Sequence, residues 1–262
     1  MKNYTPKLLP GLALLLVVIN TSCTSTKKVA YFNNQKDTTL IASPMAEPMI
    51  QRNDLLSITV SSLNPDASAL FNNQHVLYTS SVSDGGTTMQ SSGYLVSPQG
   101  KIQFPIIGEI KATGLTTNQL SLEIKNLLLQ RKLLVDPIVD VRYLNFKVTV
   151  LGEVARPTVV NVPNEKITLL EAIGLAGDLT IYGKRDNIML IREEAGKKMV
   201  RRLNLNSSEL LLSPYYYLQP GDVVYVEPNK AKISSASNTR QALPLIFSGL
   251  SFIAIILDRV IQ

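Results

Sequence analysis

Apolar and polar residues alternate in short runs along most of the chain, and twice the period lengthens from strand to helix. Tyr94–Ser97 and Lys101–Phe104 alternate on either side of Pro98-Gln99-Gly100, which predicts a hairpin. Pro137–Leu151 (PIVDVRYLNFKVTVL) alternates over a length that suits two short strands. Ile188–Ile191 and Met199–Leu203 flank the charged stretch Glu193–Lys198, a second predicted hairpin. Helix starts are marked at Thr116-Thr117-Asn118-Gln119 and at Thr168-Leu169-Leu170-Glu171. Each fits a capping box, in which a threonine hydroxyl and a Gln or Glu three residues on satisfy amides that the first turn leaves unbonded. Leu115 and Ile167 precede the two threonines and suit a hydrophobic staple. The helices are expected to run to about Arg131 and about Ala176, the second closed by Gly177. Residues 80–93 (SSVSDGGTTMQSSG) have no period and read as a polar loop.

The pattern repeats. FPIIGEIKATGLTTNQLSLEI, from Phe104, and VTVLGEVARPTVVNVPNEKITLLEAIGLAG, from Val148, each hold an apolar strand and then Gly-Glu before a β-branched residue. These are Gly108-Glu109-Ile110 and Gly152-Glu153-Val154, and each stretch then reaches a helix start. A second echo links Ile50–Val60 (IQRNDLLSITV) with Leu218–Pro228 (LQPGDVVYVEP). Pro220-Gly221 is a type II turn signal, and Arg52-Asn53 stands in its place in the first copy, where asparagine tolerates the left-handed conformation. The body is therefore expected to be α+β, in two units of residues 46–142 and 143–229. There is no βαβ series, and Gly85-Gly86 lacks the lysine of a phosphate-cradling loop.

The two ends differ from the body. Lys2 and Lys7 accompany an apolar run, Leu8–Ile19, that is shorter than the ~20 residues a bilayer span needs but fits the core of an export signal. Thr21 and Ser22 follow, then Cys23. After it, TSTKKVAYFNNQKDTTLIASPMAEP is polar and reads as a tether. At the other end, residues 230–241 read as a polar hinge, and Leu243–Ile261 carries charges only at Asp258 and Arg259. As a helix that segment would be ~28 Å long, close to the ~30 Å hydrocarbon core. Ser248, Ser251, Asp258 and Gln262 share one polar stripe on it, interrupted by Ile255. A lone spanning helix gains nothing from such a stripe, whereas a ring of helices can turn it inward to water. A helix packed on the body or lying in the membrane interface is the alternative.

Composition narrows the chemistry. The chain has 262 residues, 45% of them hydrophobic, one histidine (His75) and one cysteine (Cys23), so histidine or cysteine metal clusters and intrachain disulfides are excluded. The net charge of +6 is diffuse and aromatics are not interleaved with it, so no nucleic-acid partner is expected. No cofactor site is visible. Glu193–Glu194 sits in a hairpin loop. Glu109 and Glu153 each follow a glycine at a strand end without a histidine partner. These read as structural, and no enzyme is expected. Tyr215-Tyr216-Tyr217 suits either stacking on sugar rings or packing beside the turn that follows.

The segment ending at Ser22-Cys23 resembles the lipobox of bacterial lipoproteins, although Asn20 stands where leucine is usual. The resemblance implies a signal peptide at 1–22, a lipidated Cys23 at the head of a tether over 23–45, and, with threonine at 24, the outer membrane. An ordinary signal peptide or a buried cysteine are the alternatives. Ile50–Val60, Gly93–Leu129 and Asp136–Tyr143 resemble the polysaccharide-export domain of outer-membrane polysaccharide export lipoproteins, and Phe146–Pro228 resembles the β-grasp-like SLBB domain that follows it. In that family Pro-Gly is usual where Arg52-Asn53 stands here. The resemblance implies a homo-oligomeric ring in the outer membrane of a Gram-negative bacterium, its soluble body in the periplasm. The ring would export capsular polysaccharide or exopolysaccharide, and its partner would be an inner-membrane polysaccharide copolymerase or tyrosine kinase. Residues 242–262 would be an amphipathic transmembrane helix lining the pore. The alternative function is a periplasmic-facing lipoprotein that binds glycan or scaffolds a complex without forming a pore.

Overall fold

The computed structural model describes residues 30–33, 37, 39–41, 45–72, 76–78, 90–194 and 196–235, and in the tail 244, 246–249, 251–253 and 256. In chain order the elements are β1 (Leu55–Ser61), α1 (Pro65–Ala69), β2 (Val76–Tyr78), β3 (Gln90–Ser92), β4 (Tyr94–Leu95), β5 (Lys101–Phe104), β6 (Gly108–Lys111) and α2 (Thr117–Gln130). They continue with β7 (Ile138–Tyr143), β8 (Lys147–Gly152), β9 (Thr158–Asn161), α3 (Leu169–Leu175), β10 (Gly183–Glu194), β11 (Lys197–Leu203), a 3-10 turn (Ser208–Leu212), β12 (Val223–Pro228) and α4 (Lys230–Ser235). The fold is mixed helix and sheet, as the pattern predicts.

In the first unit β1 lies between β4 and β7, antiparallel to both. The stripe Leu120, Ile124 and Leu128, spaced by one helical turn, is the buried face of α2, and the helix packs along β7. In the second unit five strands run in the order β11-β10-β12-β8-β9, with β12 and β8 parallel and the other pairs antiparallel. Val148, Val150, Ile188, Leu190, Val224 and Val226 alternate inward from three of those strands and are fully buried. Leu169, Ala172 and Ile173 of α3 are buried on the same side, with α3 against β8. Each large aliphatic side chain so buried contributes ~1.5–3 kcal/mol. The buried side chains of both units form one continuous apolar core.

Both capping boxes are present. The Gln119 amide donates to Thr116 Oγ1 (3.2 Å) and the Thr116 amide to Gln119 Oε1 (3.0 Å). The Glu171 amide donates to Thr168 Oγ1 (3.2 Å) and the Thr168 amide to Glu171 Oε2 (2.7 Å). The echoed Gly-Glu step also has one backbone geometry, with φ of +90° at Gly108 and +92° at Gly152. The surroundings differ. A Cβ on Gly152 would lie 2.1 Å from the Val226 carbonyl oxygen, whereas nothing lies within 4 Å of one on Gly108.

Several expectations are corrected. Tyr94–Ser97 and Lys101–Phe104 do not pair with each other as strands. The turn between them exists, with Ser97 N donating to Lys101 O (2.8 Å), but β4 pairs with β1 and β5 pairs with β6. The left-handed Ile106 and Gly108 fold β6 back onto β5 and take up its edge. The β10–β11 ladder extends to Glu194 and Lys197, well into the stretch read as a loop, with Glu193 opposite Lys198 and Glu194 opposite Lys197. Gln90–Ser92, read as polar loop, pairs with Val76–Tyr78.

The segments read as tether and hinge also engage the body. Phe32 N donates to Leu205 O (3.2 Å), Tyr31 bonds Asp178, and Arg185 lies over the Tyr31 ring, 5.6 Å from its centroid. Residues 230–235 are helical. Asn229 Oδ1 accepts from Lys232 N (3.1 Å), and Lys232 pairs with Glu153 (3.3 Å). In the tail the described residues are helical and exposed. Among the described residues no helix is long and apolar enough to cross a membrane, and the expected transmembrane helix is not found there. The described helical stretches are short, and most of 242–262 lies outside the described residues.

Candidate functional site at the junction of the two units

Residues 144–146 alone link β7 to β8, so the two units meet closely. Asn145 stitches the junction. Its Oδ1 accepts from Leu55 N (3.0 Å) and its Nδ2 donates to Asn53 O (3.2 Å).

The echoed turns lie on either side of this junction and are built alike. In the first, Gln51 N donates to Asp54 Oδ2 (2.7 Å). In the second, Gln219 N donates to Asp222 Oδ2 (2.8 Å). Asn53 (φ +68°) and Gly221 (φ +81°) fill the same left-handed position, which asparagine and glycine adopt most readily. Each aspartate closes its own turn and starts a strand, β1 or β12.

The strand opposite is different. Continuing the registers, Asp54 stands across from Val96, and Val96 N donates to Asp54 O (2.9 Å). Asp222 stands across from Arg192. Arg192 Nε donates to Asp222 Oδ1 (2.9 Å) and Nη2 to Oδ2 (2.7 Å), a two-pronged pair with side chains 6% and 0% exposed. A further Nη2 bond reaches Tyr217 O (3.1 Å). Burial raises the Asp222 carboxyl above its ordinary range, against the pull of Arg192 and the Gln219 amide. Burial also pushes Asp54 up, to about 6, opposed by the Gln51 amide alone. Tyr143 faces this aspartate. Burial first, then Asp54 and Glu165, raise its hydroxyl, which donates to Pro48 O (3.3 Å).

Between the two turns is a cleft of about 500 Å³. Gln51, Arg52 and Gln219 come from the turns, Glu193 and Glu194 from the end of β10, and Glu47 from the segment before β1. Gln51 Nε2 donates to Glu193 O (2.8 Å), tying one unit to the other across it. A second cavity, about 440 Å³, lies beside α3 between the 161–167 loop and Leu175. It is more apolar, and the second unit alone forms it.

The residues singled out in the sequence are dispersed. Cys23, Asp258 and Gln262 lie outside the described residues. Ser248 Oγ donates to Pro244 O (3.0 Å) and Ser251 Oγ to Phe247 O (2.9 Å), so both hydroxyls bond the backbone of their own helix. Tyr215, Tyr216 and Tyr217 are partly buried and do not form one flat platform, since the Tyr216 and Tyr217 rings stand at 73°. Arg192 and Arg201 lie over Tyr215, at 5.7 and 5.5 Å, and Lys166 lies over Tyr217 at 5.4 Å. Glu109 pairs with Lys101 (2.6 Å), and Glu153 accepts from Thr180 Oγ1 (2.8 Å) as well as pairing with Lys232. The sequence reading missed Arg192–Asp222 and the junction cleft. The repeated Gln-x-x-Asp was the available signal.

Comparison with known proteins agrees with this two-part organisation. Residues 42–144 match the family model of polysaccharide biosynthesis/export proteins, and residues 146–226 match that of the SLBB domain. The chain is 33% identical over 141 residues to the EPS I polysaccharide export outer membrane protein EpsA of Ralstonia solanacearum, covering 53% of this chain and 37% of that protein. It is 35% identical over 140 residues to the protein of the same name from Ralstonia nicotianae, covering 52% and 36%. The matches thus span little more than a third of the length of these curated relatives. With two domains matched in tandem, the chain belongs to the polysaccharide biosynthesis/export family, its export domain followed directly by an SLBB domain.

Proposed function

We propose that this protein exports capsular polysaccharide or exopolysaccharide across the outer membrane, as a homo-oligomeric lipoprotein whose copies assemble into a conduit. The observation that carries the reading is the tandem of export and SLBB domains, in a chain similar to proteins named as polysaccharide export outer membrane proteins. The strand order of the second unit supports a β-grasp. A β8–β9 hairpin is followed by α3, and β12 returns to lie parallel to β8 in the middle of the sheet.

The reading anchors the chain through acyl groups on Cys23 and keeps the body on the periplasmic side. Residues 243–261 provide a ring of helices, with the stripe of Ser248, Ser251, Asp258 and Gln262 turned to the lumen. The exposed Phe247, Phe252 and Ile253 support a tail that has its apolar partners outside the body. An inner-membrane copolymerase or tyrosine kinase would deliver the polymer. The protein performs transport, without catalysis.

Deleting residues 243–261 tests this. The expected result is loss of secreted polysaccharide with the body still folded by circular dichroism. Unchanged secretion would favour a lipoprotein that binds glycan or scaffolds the complex without forming the pore.

A further inference from the structure

We infer that the junction cleft is a saccharide subsite that takes neutral or amino-bearing sugar units and disfavours uronates. This rests on the export reading, because the exported polymer is the ligand. The cleft volume, about 500 Å³, falls in the ~300–1,000 Å³ range of small-ligand sites. Its walls are mixed, with Met49 and Ile50 beside polar side chains that sugar hydroxyls can use. Gln51, Gln219 and Arg52 are planar donors suited to neighbouring hydroxyl pairs, and the carboxylates of Glu47, Glu193 and Glu194 are acceptors.

Thr113 is also in the wall, and its hydroxyl is buried without a hydrogen-bond partner. Among the described residues no aromatic ring lines the cleft, so hydrogen bonds rather than stacking would set its selectivity.

Charge decides the class of sugar. Three carboxylates stand against one guanidinium in the lining. Glu193 and Glu194 stand opposite Lys198 and Lys197 across the hairpin, with no ion pair between them among the described residues. A uronate would add a further carboxylate to this field, whereas an ammonium or a neutral hydroxyl would be accepted. The location suits a regulating site as well. A sugar bridging Gln51 and Gln219 touches both units, and its binding would stiffen the junction that the Gln51–Glu193 bond already ties.

The test is isothermal titration of the full-length protein in detergent with three probes: glucosamine trimer, maltotriose and galacturonate trimer. The expected order is glucosamine trimer, then maltotriose, with galacturonate trimer about tenfold or more weaker than the first, a difference of ~1.4 kcal/mol or more. The double variant Glu193→Gln/Glu194→Gln should close that gap, and Gln219→Ala should weaken all the probes that bind. Equal affinity for the three trimers, a gap unchanged by the double variant, or no binding at millimolar sugar would each overturn the subsite. Gln219→Ala lies outside the hairpin, so it remains informative if the double variant misfolds. Export is scored in parallel in cells carrying each variant. Absent binding with intact export removes the subsite and leaves the export reading standing. Lost export after tail deletion bears on that reading alone.

Discussion

Asp54 and Asp222 occupy the same place in two copies of one turn, and the strand opposite makes them different groups. Each accepts from the amide three residues before it and each follows a left-handed residue. Opposite Asp54 is Val96, which offers a backbone amide and a buried apolar side chain. Opposite Asp222 is Arg192, which offers a second charge. The lesson is that a local motif fixes the turn but not its electrostatics. Those come from whichever strand the register brings alongside. In the second unit the long β10 runs past the start of β12 and delivers the arginine. In the first unit β4 is short and delivers valine.

The strongest way to break this comparison is to give the second turn the first one's neighbour. Arg192→Val should leave a buried carboxylate without its partner and cost about 3–5 kcal/mol, read by urea unfolding of the full chain. Adding Asp222→Asn should recover much of that loss, since the asparagine oxygen still accepts from Gln219 N. A recovery that fails would mean that Arg192 acts mainly through Tyr217 O and the Tyr215 ring.

The echoed glycines provide a smaller contrast of the same kind. Gly108→Ala should cost only the left-handed penalty, about 1–2 kcal/mol. Gly152→Ala adds the collision with Val226 O, an overpacking term of about 1–3 kcal/mol, and should strain the parallel β8–β12 pairing. Equal losses for the two variants would contradict the geometry.

Asp54 sharpens the comparison through pH. An acid whose folded value is raised favours its protonated form in the fold. Its contribution is therefore fully present below the unfolded value, ~3.9, and is lost as pH rises through about 6. The wild type should lose stability across about pH 4–6 by on the order of 1–2 kcal/mol relative to Asp54→Asn, which does not ionise. Melting curves of both proteins across that window provide the check. Parallel curves would mean that Asp54 titrates normally.

The local rules were legible in the sequence. Both capping boxes, the left-handed turn positions, the strands of Pro137–Leu151 and the mixture of helix and sheet follow from residue type and period. Pairing between strands was not. Tyr94–Ser97 alternates as a hairpin arm should, but β1 takes β4, and that pairing brings Val96 to Asp54. Arg192 carried no signal in the sequence, because its burial depends on a register that no local pattern carries. The cleft joins residues far apart in the chain and was invisible for the same reason. The polar surroundings of Tyr31–Phe32 and the polar residues of Lys230–Ser235 concealed their docking, since contacts to Asp178, Leu205 and Glu153 leave no periodic trace.

The central claim is that copies of this chain assemble into a conduit for polysaccharide. It is tested most directly by negative-stain imaging of the full-length protein extracted in detergent. The expected result is closed rings with an open centre. A field of single, unassembled particles at the same concentration would contradict the account.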